Sequence, residues 1–95
     1  MSIRFEWDPD KAAKNVWKHK VSFEEAATVF RDTLSVTVVD PDHSAVENRY
    51  ITVGLSDRLR LLMVSHTETE ERIRIISARQ LTRQERKDYE EGTWE

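Results

Sequence analysis

Between positions 58 and 87 the chain carries Arg58, Arg60, Arg72, Arg74, Arg79, Arg83 and Arg86, with Lys87 the one lysine among them. The planar fork of arginine meets phosphate or carboxylate oxygens two at a time, so this preference leans toward anion recognition. His19, His43 and His66 are the side chains that titrate nearest neutrality and can move protons. They are scattered without ligand spacing, and the chain has no cysteine, so no metal site, disulfide or thiolate nucleophile is expected. Gly54 and Gly92 are the only glycines, too few and too far apart for a phosphate-cradling loop, and no serine stands in a nucleophile elbow.

The chemistry left open needs neither metal nor covalent intermediate. RNA cleavage is of this kind: the ribose 2′-hydroxyl attacks its neighbouring phosphate, and the protein positions the chain, moves protons and stabilises the added negative charge. Arg60, Arg72, Arg74 and Arg79 are candidates for the charge, His19 and His66 for the protons. Arg79 leads, because it ends the last strand just before a helix N-terminus, where free amides and side chains gather around anions; Arg74 follows. Plainer roles compete. A strand-face histidine is usually a satisfied, partly buried group, and His19 closes a helix whose dipole favours a cation there. Trp7 is either core or a platform for a stacked base, and Trp17, on the apolar stripe of the first helix, is assigned to the core. Glu47 is either a general base or the partner of Arg49. Arg83 and Arg86, in the first turn of the last helix, are placed to meet phosphate, a partner or solvent.

The elements that must hold these residues are legible. Ile3, Phe5 and Trp7 alternate with Arg4 and Glu6, the period of a half-buried strand. Asp8-Pro9 opens a helix that runs to about His19. Ser22-Phe-Glu-Glu25 is a capping box, and Phe23, Ala26, Ala27 and Phe30 follow at the spacing of one buried helix face, to about Arg31. LSVTVV, RYITVGL, LRLLMVSH and RIRIISA read as four strands joined by short turns, hence an antiparallel meander. Thr82-Arg-Gln-Glu85 caps a final helix through about Tyr89, and residues 91–95 are expected to fray. The fold class is α+β, a small antiparallel sheet with two N-terminal helices on one face and a short C-terminal helix, in the order β-α-α-β-β-β-β-α. On alternation alone, Arg58, Arg60 and His66 share one face of the third meander strand, and Arg72 and Arg74 one face of the fourth; a basic rim around an apolar middle is expected on the uncovered side.

Size and charge bound the rest. Ninety-five residues, 38% hydrophobic and 35% charged, hold a single domain spanning 1–95 and argue against disorder. The start MSIRFEWDPD is not a signal peptide and no stretch is apolar enough for a membrane span, so a cytoplasmic protein with no membrane partner is expected. The net charge of −3 opposes bulk coating of nucleic acid, but it divides into −3 over residues 1–57, +4 over 58–87 and −4 over 88–95. A local arginine site is therefore allowed.

Three segments, FEWDPDKAAKNVWKHKVSFEEAATVFRD, DHSAVENRYITVGLS and RIRIISARQLTRQERKDYE, resemble the BrnT toxin family, small ribonucleases of bacterial type II toxin–antitoxin pairs. The resemblance spans roughly residues 5 to 90. It implies a RelE-like fold, endoribonuclease activity with no cofactor, and neutralisation by a BrnA-type antitoxin whose ribbon-helix-helix part binds operator DNA, the toxin touching that DNA only through the antitoxin. It carries function to Trp7, Lys18, His19, Arg74 and Arg79, with Arg60 where the family often has a basic residue after a glycine. That glycine is replaced by the run Arg58-Leu59-Arg60, and the usual glycine after Lys18-His19 is Lys20; both departures fall at turns. The alternative of a different class is a catalytically silent module whose arginine face binds a ribbon-helix-helix partner.

Overall fold

A computed structural model of the chain describes residues 3–42 and 48–93, so His43 and Glu47 lie outside the described residues. The order is β1 (Arg4–Glu6), α1 (Pro9–His19), α2 (Phe23–Thr28) running into a 3₁₀ turn at Val29–Arg31, then β2 (Val36–Val39), β3 (Arg49–Leu55), β4 (Leu61–Thr69), β5 (Arg72–Gln80) and α3 (Arg83–Glu90). Strands β2 to β5 form the expected antiparallel meander. The sheet as a whole is mixed, because β1 adds to its edge parallel to β5, giving the order β1-β5-β4-β3-β2. The crossover through α1 and α2 makes that parallel pairing possible, since parallel neighbours need a long connection. Among the described residues no helix is long and apolar enough to cross a membrane.

Both early helices cover one sheet face. Val21, Phe23, Ala26 and Val29 pack on Leu62, Val64, Ile73, Ile75 and Ala78, and Trp7 joins this core with its ring edge-on to Phe23. Asp8 accepts from the Asp10 amide and Ser22 from the Glu25 amide, and Thr82 and Glu85 close a reciprocal box; the box read at Ser22 is only half made, because the Glu25 carboxylate turns to Arg60 and Ser56. At the other end of α3 the Gly92 amide donates to Tyr89 and the Thr93 amide to Asp88. With Gly92 at φ 75°, these bonds make a helix-ending turn of the Schellman type.

Helix α1 departs from its apolar reading. Trp17 is 80% exposed and Val16 45% exposed, while the buried residue of α1 is Asn15. Its Nδ2 donates to the carbonyls of Val21 and Ala78, both at 2.8 Å, and its Oδ1 accepts from the Ala78 amide at 3.1 Å. Asn15 thus ties the helix to β5 beside the core contact of Ala12, and Trp17 does not belong to the core.

The two turns that lack the expected glycines both take the left-handed conformation, Lys20 and Leu59 each at φ 61°. A side chain there costs about 1–2 kcal/mol, of which the flexibility of unfolded glycine offsets roughly half. Lys20→Gly and Leu59→Gly should each stabilise by about 0.5–1 kcal/mol, readable as a rise of a few degrees in Tm; Leu59 loses no packing, being 78% exposed.

Candidate active site

Strand parity decides which side chains meet. The residues opposite one another on β4 and β5 are Thr69 and Arg72, Thr67 and Arg74, Ser65 and Ser77, and Met63 and Arg79. The register slips between Ser65 and His66, where His66 faces Ile75 and Ile76 is the extra residue on β5. Without that bulge Arg74 and Arg79, five positions apart, would lie on opposite faces. With it, Ile73, Ile75 and Ala78 enter the core, while Arg72, Arg74, Ser77 and Arg79 share the face away from α1 and α2.

At the β1 edge of this face, Arg74 donates to Glu6 at 2.9 Å and Arg72 lies 3.4 Å from the other carboxylate oxygen. A shallow cavity of about 260 Å³ opens there, lined by Glu6, Thr67, Thr69, Arg72 and Arg74. Roughly 13 Å along the strand, Arg79 turns toward α3 instead. It is gripped by both oxygens of Glu85, at 2.7 and 2.9 Å, and also reaches the Gln80 carbonyl and the Met63 sulfur. The Arg79 guanidinium, helped by the Thr82 amide, lowers the Glu85 carboxyl to about 2 and is itself held above its ordinary value by Glu85. Helix α3 covers this end of the face, with Tyr89 packed near Val53, Met63 and Leu81 and its hydroxyl donating to the Leu34 carbonyl.

Arg60 and His66 lie elsewhere. The even positions of β4, read as the basic face, point the other way: Leu62, Val64 and His66 are fully buried under the helices. Arg60 precedes the strand, in the turn, and forms a two-nitrogen ion pair with the buried Glu25 while donating to the Lys20 carbonyl at 3.1 Å. The same carboxylate accepts from Ser56, so Arg60 ties this turn to α2. His66 accepts or donates at Thr52 Oγ1 (2.7 Å), which in turn meets Thr37, and its ring packs against Phe30 and Tyr50. Burial lowers its pKa to about 4, opposed by a weaker hydrogen bond from the ring to the Thr67 backbone. A ring so placed is neutral at pH 7 and walled off from the arginine face.

This burial makes acid stability measurable. The folded value lies below the ordinary 6.5, so the unfolded chain binds the extra proton first and stability falls as pH drops from about 6.5 to 4. The loss should approach about 3 kcal/mol at pH 4. Urea midpoints across that range should flatten in His66→Leu. A wild-type midpoint that does not move over this range would contradict the buried, neutral ring. Glu25, lowered chiefly by its hydrogen bond from Arg60, and Glu85 act in a separate window, their contribution being present above about 4.5 and lost below it.

The remaining sequence candidates are dispersed. Lys18 is exposed and His19 half-buried at the end of α1, which packs on the opposite side of the sheet from Arg72 and Arg74. Trp7 sits half-buried against Phe23. Arg83 and Arg86 are exposed on α3, Arg86 beside an apolar groove formed with Leu34, Leu55, Leu59 and Tyr89. Sequence reasoning passed over Glu6, whose alternation with Phe5 was the available signal, and Glu85, noted only as a cap.

The arrangement is an uncovered sheet face with two arginines around a cavity and a third braced by a helix cap, suited to binding an anionic chain. The profile of a protein family described as "Ribonuclease toxin, BrnT, of type II toxin-antitoxin system" matches residues 7–85. Among solved structures, the ribonuclease toxin BrnT of Brucella abortus, a 1.1 Å crystal structure, shares the fold with a TM-score of 0.64 at 23% identity, over 86% of this chain and 100% of that one. No curated protein sequence matches the chain. The family match covers most of the protein, and the chain belongs to the BrnT family of ribonuclease toxins of type II toxin–antitoxin systems.

Proposed function

We propose that this BrnT-family toxin is a metal-independent endoribonuclease that cuts single-stranded or ribosome-associated RNA by attack of the ribose 2′-hydroxyl on the adjacent phosphate. The observation that carries this reading is the bulge-aligned arginine face: Arg72 and Arg74 stand at a cavity open to solvent, where fixed positive charge can meet the extra charge of a pentacoordinate phosphate. In this proposal Arg74 and Arg72 hold the scissile phosphate, while Arg79 braces α3 and receives a neighbouring phosphate. Arg83 and Arg86 extend the path along α3. His66 and Arg60 have no role in the chemistry, and Trp7 acts as core.

The proposed partner is a BrnA-type antitoxin with a ribbon-helix-helix part, which neutralises the toxin by covering this face and links it to operator DNA. Such a partner carries acidic side chains beside apolar ones, since the face is cationic at β5 and apolar toward α3. The test is cleavage of single-stranded RNA by the purified chain, with and without ribosomes, in EDTA. Expected are fragments ending in 2′,3′-cyclic phosphate, unaffected by the chelator, and binding that weakens steeply with salt.

One observation favours the silent-module reading: the candidate protein histidines lie apart from Arg72 and Arg74, His66 buried and His19 at the far end of α1. A folded chain that binds its antitoxin and yet cuts no RNA, ribosomes included, would establish it. Arg79→Ala discriminates further. In the nuclease reading it reduces growth inhibition on induced expression and also lowers Tm, because the half-buried Glu85 loses its partner; Glu85→Gln should reproduce the drop in Tm with a smaller effect on growth.

A further inference from the structure

A metal-free nuclease of this type needs a group to take the 2′-hydroxyl proton, and the arginine face offers few. His66 is buried beneath the sheet. Tyr89 is tied to the Leu34 carbonyl and its pKa is raised by burial. Glu85 is locked in its two-oxygen pair with Arg79. Glu6 differs from these: it projects from the edge strand β1 into the cavity that Arg72 and Arg74 line, half-exposed, beside the hydroxyl-bearing Thr67 and Thr69.

We propose that Glu6 is the general base of the cleavage reaction, the carboxylate that accepts the 2′-hydroxyl proton next to the phosphate held by Arg72 and Arg74. The assignment rests on the nuclease reading of this face. The geometry is present in outline, with Arg74 at 2.9 Å and Arg72 at 3.4 Å each contacting a different oxygen of Glu6. Both contacts are exposed ion pairs, cheap to exchange. A phosphodiester entering between the arginines competes for their N–H donors, because the guanidinium fork donates to phosphate and carboxylate oxygens alike and the exposed pairs with Glu6 cost little to break. Glu6 is then released from its pairs beside that phosphate, within reach of the adjacent ribose. The pairing thus keeps both guanidinium groups pointed into the cavity before substrate arrives, and exchange exposes the base when it is needed.

The step balances without a further reactant. The 2′-oxygen bonds to phosphorus as its proton passes to a Glu6 carboxylate oxygen, and the bond from phosphorus to the 5′-oxygen breaks. The departing 5′-oxygen takes a proton from water, leaving a 2′,3′-cyclic phosphate and a 5′-hydroxyl, and Glu6 returns its proton to solvent.

The experiment compares the full-length wild-type chain with Glu6→Gln, Glu6→Asp and Arg74→Ala on one single-stranded RNA across pH 4 to 8. A second measurement follows binding of the same RNA with 2′-deoxyribose throughout, which cannot be cut. General-base removal should lower the cleavage rate about a hundredfold or more, abolish the rise of rate with pH on the acid side, and leave binding of the deoxy strand equal or tighter, since a competing negative charge is gone. Glu6→Asp should keep the acid-side rise at a reduced rate. Full activity in Glu6→Gln beside an inactive Arg74→Ala overturns the base and keeps the site. A Glu6→Gln that slows while its pH dependence stays as in wild type also overturns it, reducing Glu6 to a residue that positions the arginines. Full activity in both Glu6→Gln and Arg74→Ala, or no cleavage by wild type, overturns the underlying reading of the face instead. Circular dichroism and Tm verify that each variant is folded, as expected for substitutions at a half-exposed edge.

Discussion

Arg74→Ala should slow RNA cleavage by about a hundredfold to a thousandfold, the usual loss when one preorganised donor to a developing anion is removed. The fold should barely register the change. Arg74 and its partner Glu6 are both exposed, and a surface pair of this kind is worth about 0–1 kcal/mol. The combination of a large kinetic and a small thermal effect separates a substrate-binding arginine from a structural one. Arg60 supplies the internal control: its loss strands the buried Glu25 carboxylate and the Lys20 carbonyl, so Arg60→Ala should destabilise first and reduce activity only in proportion. Stopped or gel-resolved cleavage rates beside thermal melts decide the matter; an Arg74→Ala chain that cuts at the wild-type rate would remove the arginine face from the mechanism.

The second large effect falls on stability. Asn15→Ala should cost about 3–5 kcal/mol, since two carbonyls and one amide lose their partners inside the fold and each unsatisfied group costs about 1–3 kcal/mol. Within α1 only the small Ala12 packs on the core, while Val16 and Trp17 are exposed and add little. For a domain of this size the loss corresponds to a fall in Tm on the order of 15 °C or more. Asn15→Asp should fare no better at neutral pH, because a carboxylate cannot donate to the carbonyls of Val21 and Ala78. A melting temperature within a few degrees of wild type in either variant would show that α1 is held by something other than this clamp.

The elements themselves were legible because their signals are local. Capping residues such as Ser22 and Thr82 act within one helical turn, and β-branched runs bounded by turns mark strands whatever their neighbours. The apolar stripe of α2 was read correctly, since Phe23, Ala26 and Phe30 do pack into the core. In α1 the same rule misled. Of the stripe Ala12, Ala13, Val16 and Trp17 only Ala12 meets the core, and the hydrogen bonds of one amide, invisible to any measure of hydrophobic spacing, add the hold that the stripe lacks.

The site was half legible for a related reason. Arginine enrichment near the end of the chain is a fact of sequence, and Arg74 and Arg79 were singled out from it. Which arginines face the same way is set by strand register, and there the even positions of β4 proved to be the core side, taking His66 with them. Arg79 drew attention because it stands before a helix N-terminus, and it does meet that helix, yet its partner is the capping carboxylate of Glu85. Glu6 went unremarked because nothing in the period of β1 tells that its neighbour will be β5, delivered in parallel by a crossover.

By itself, then, the sequence determined the α+β order of elements and an arginine-rich segment of +4 within a chain of net charge −3. Tertiary structure decided which arginines share a face. Side chains on a strand alternate with a strict period of two, so one extra residue reverses every assignment beyond it. The doubled Ile75-Ile76 marks where that happens, but only pairing with Ser65 and His66 shows that the chain bulges there and brings Arg79 to the face of Arg72 and Arg74.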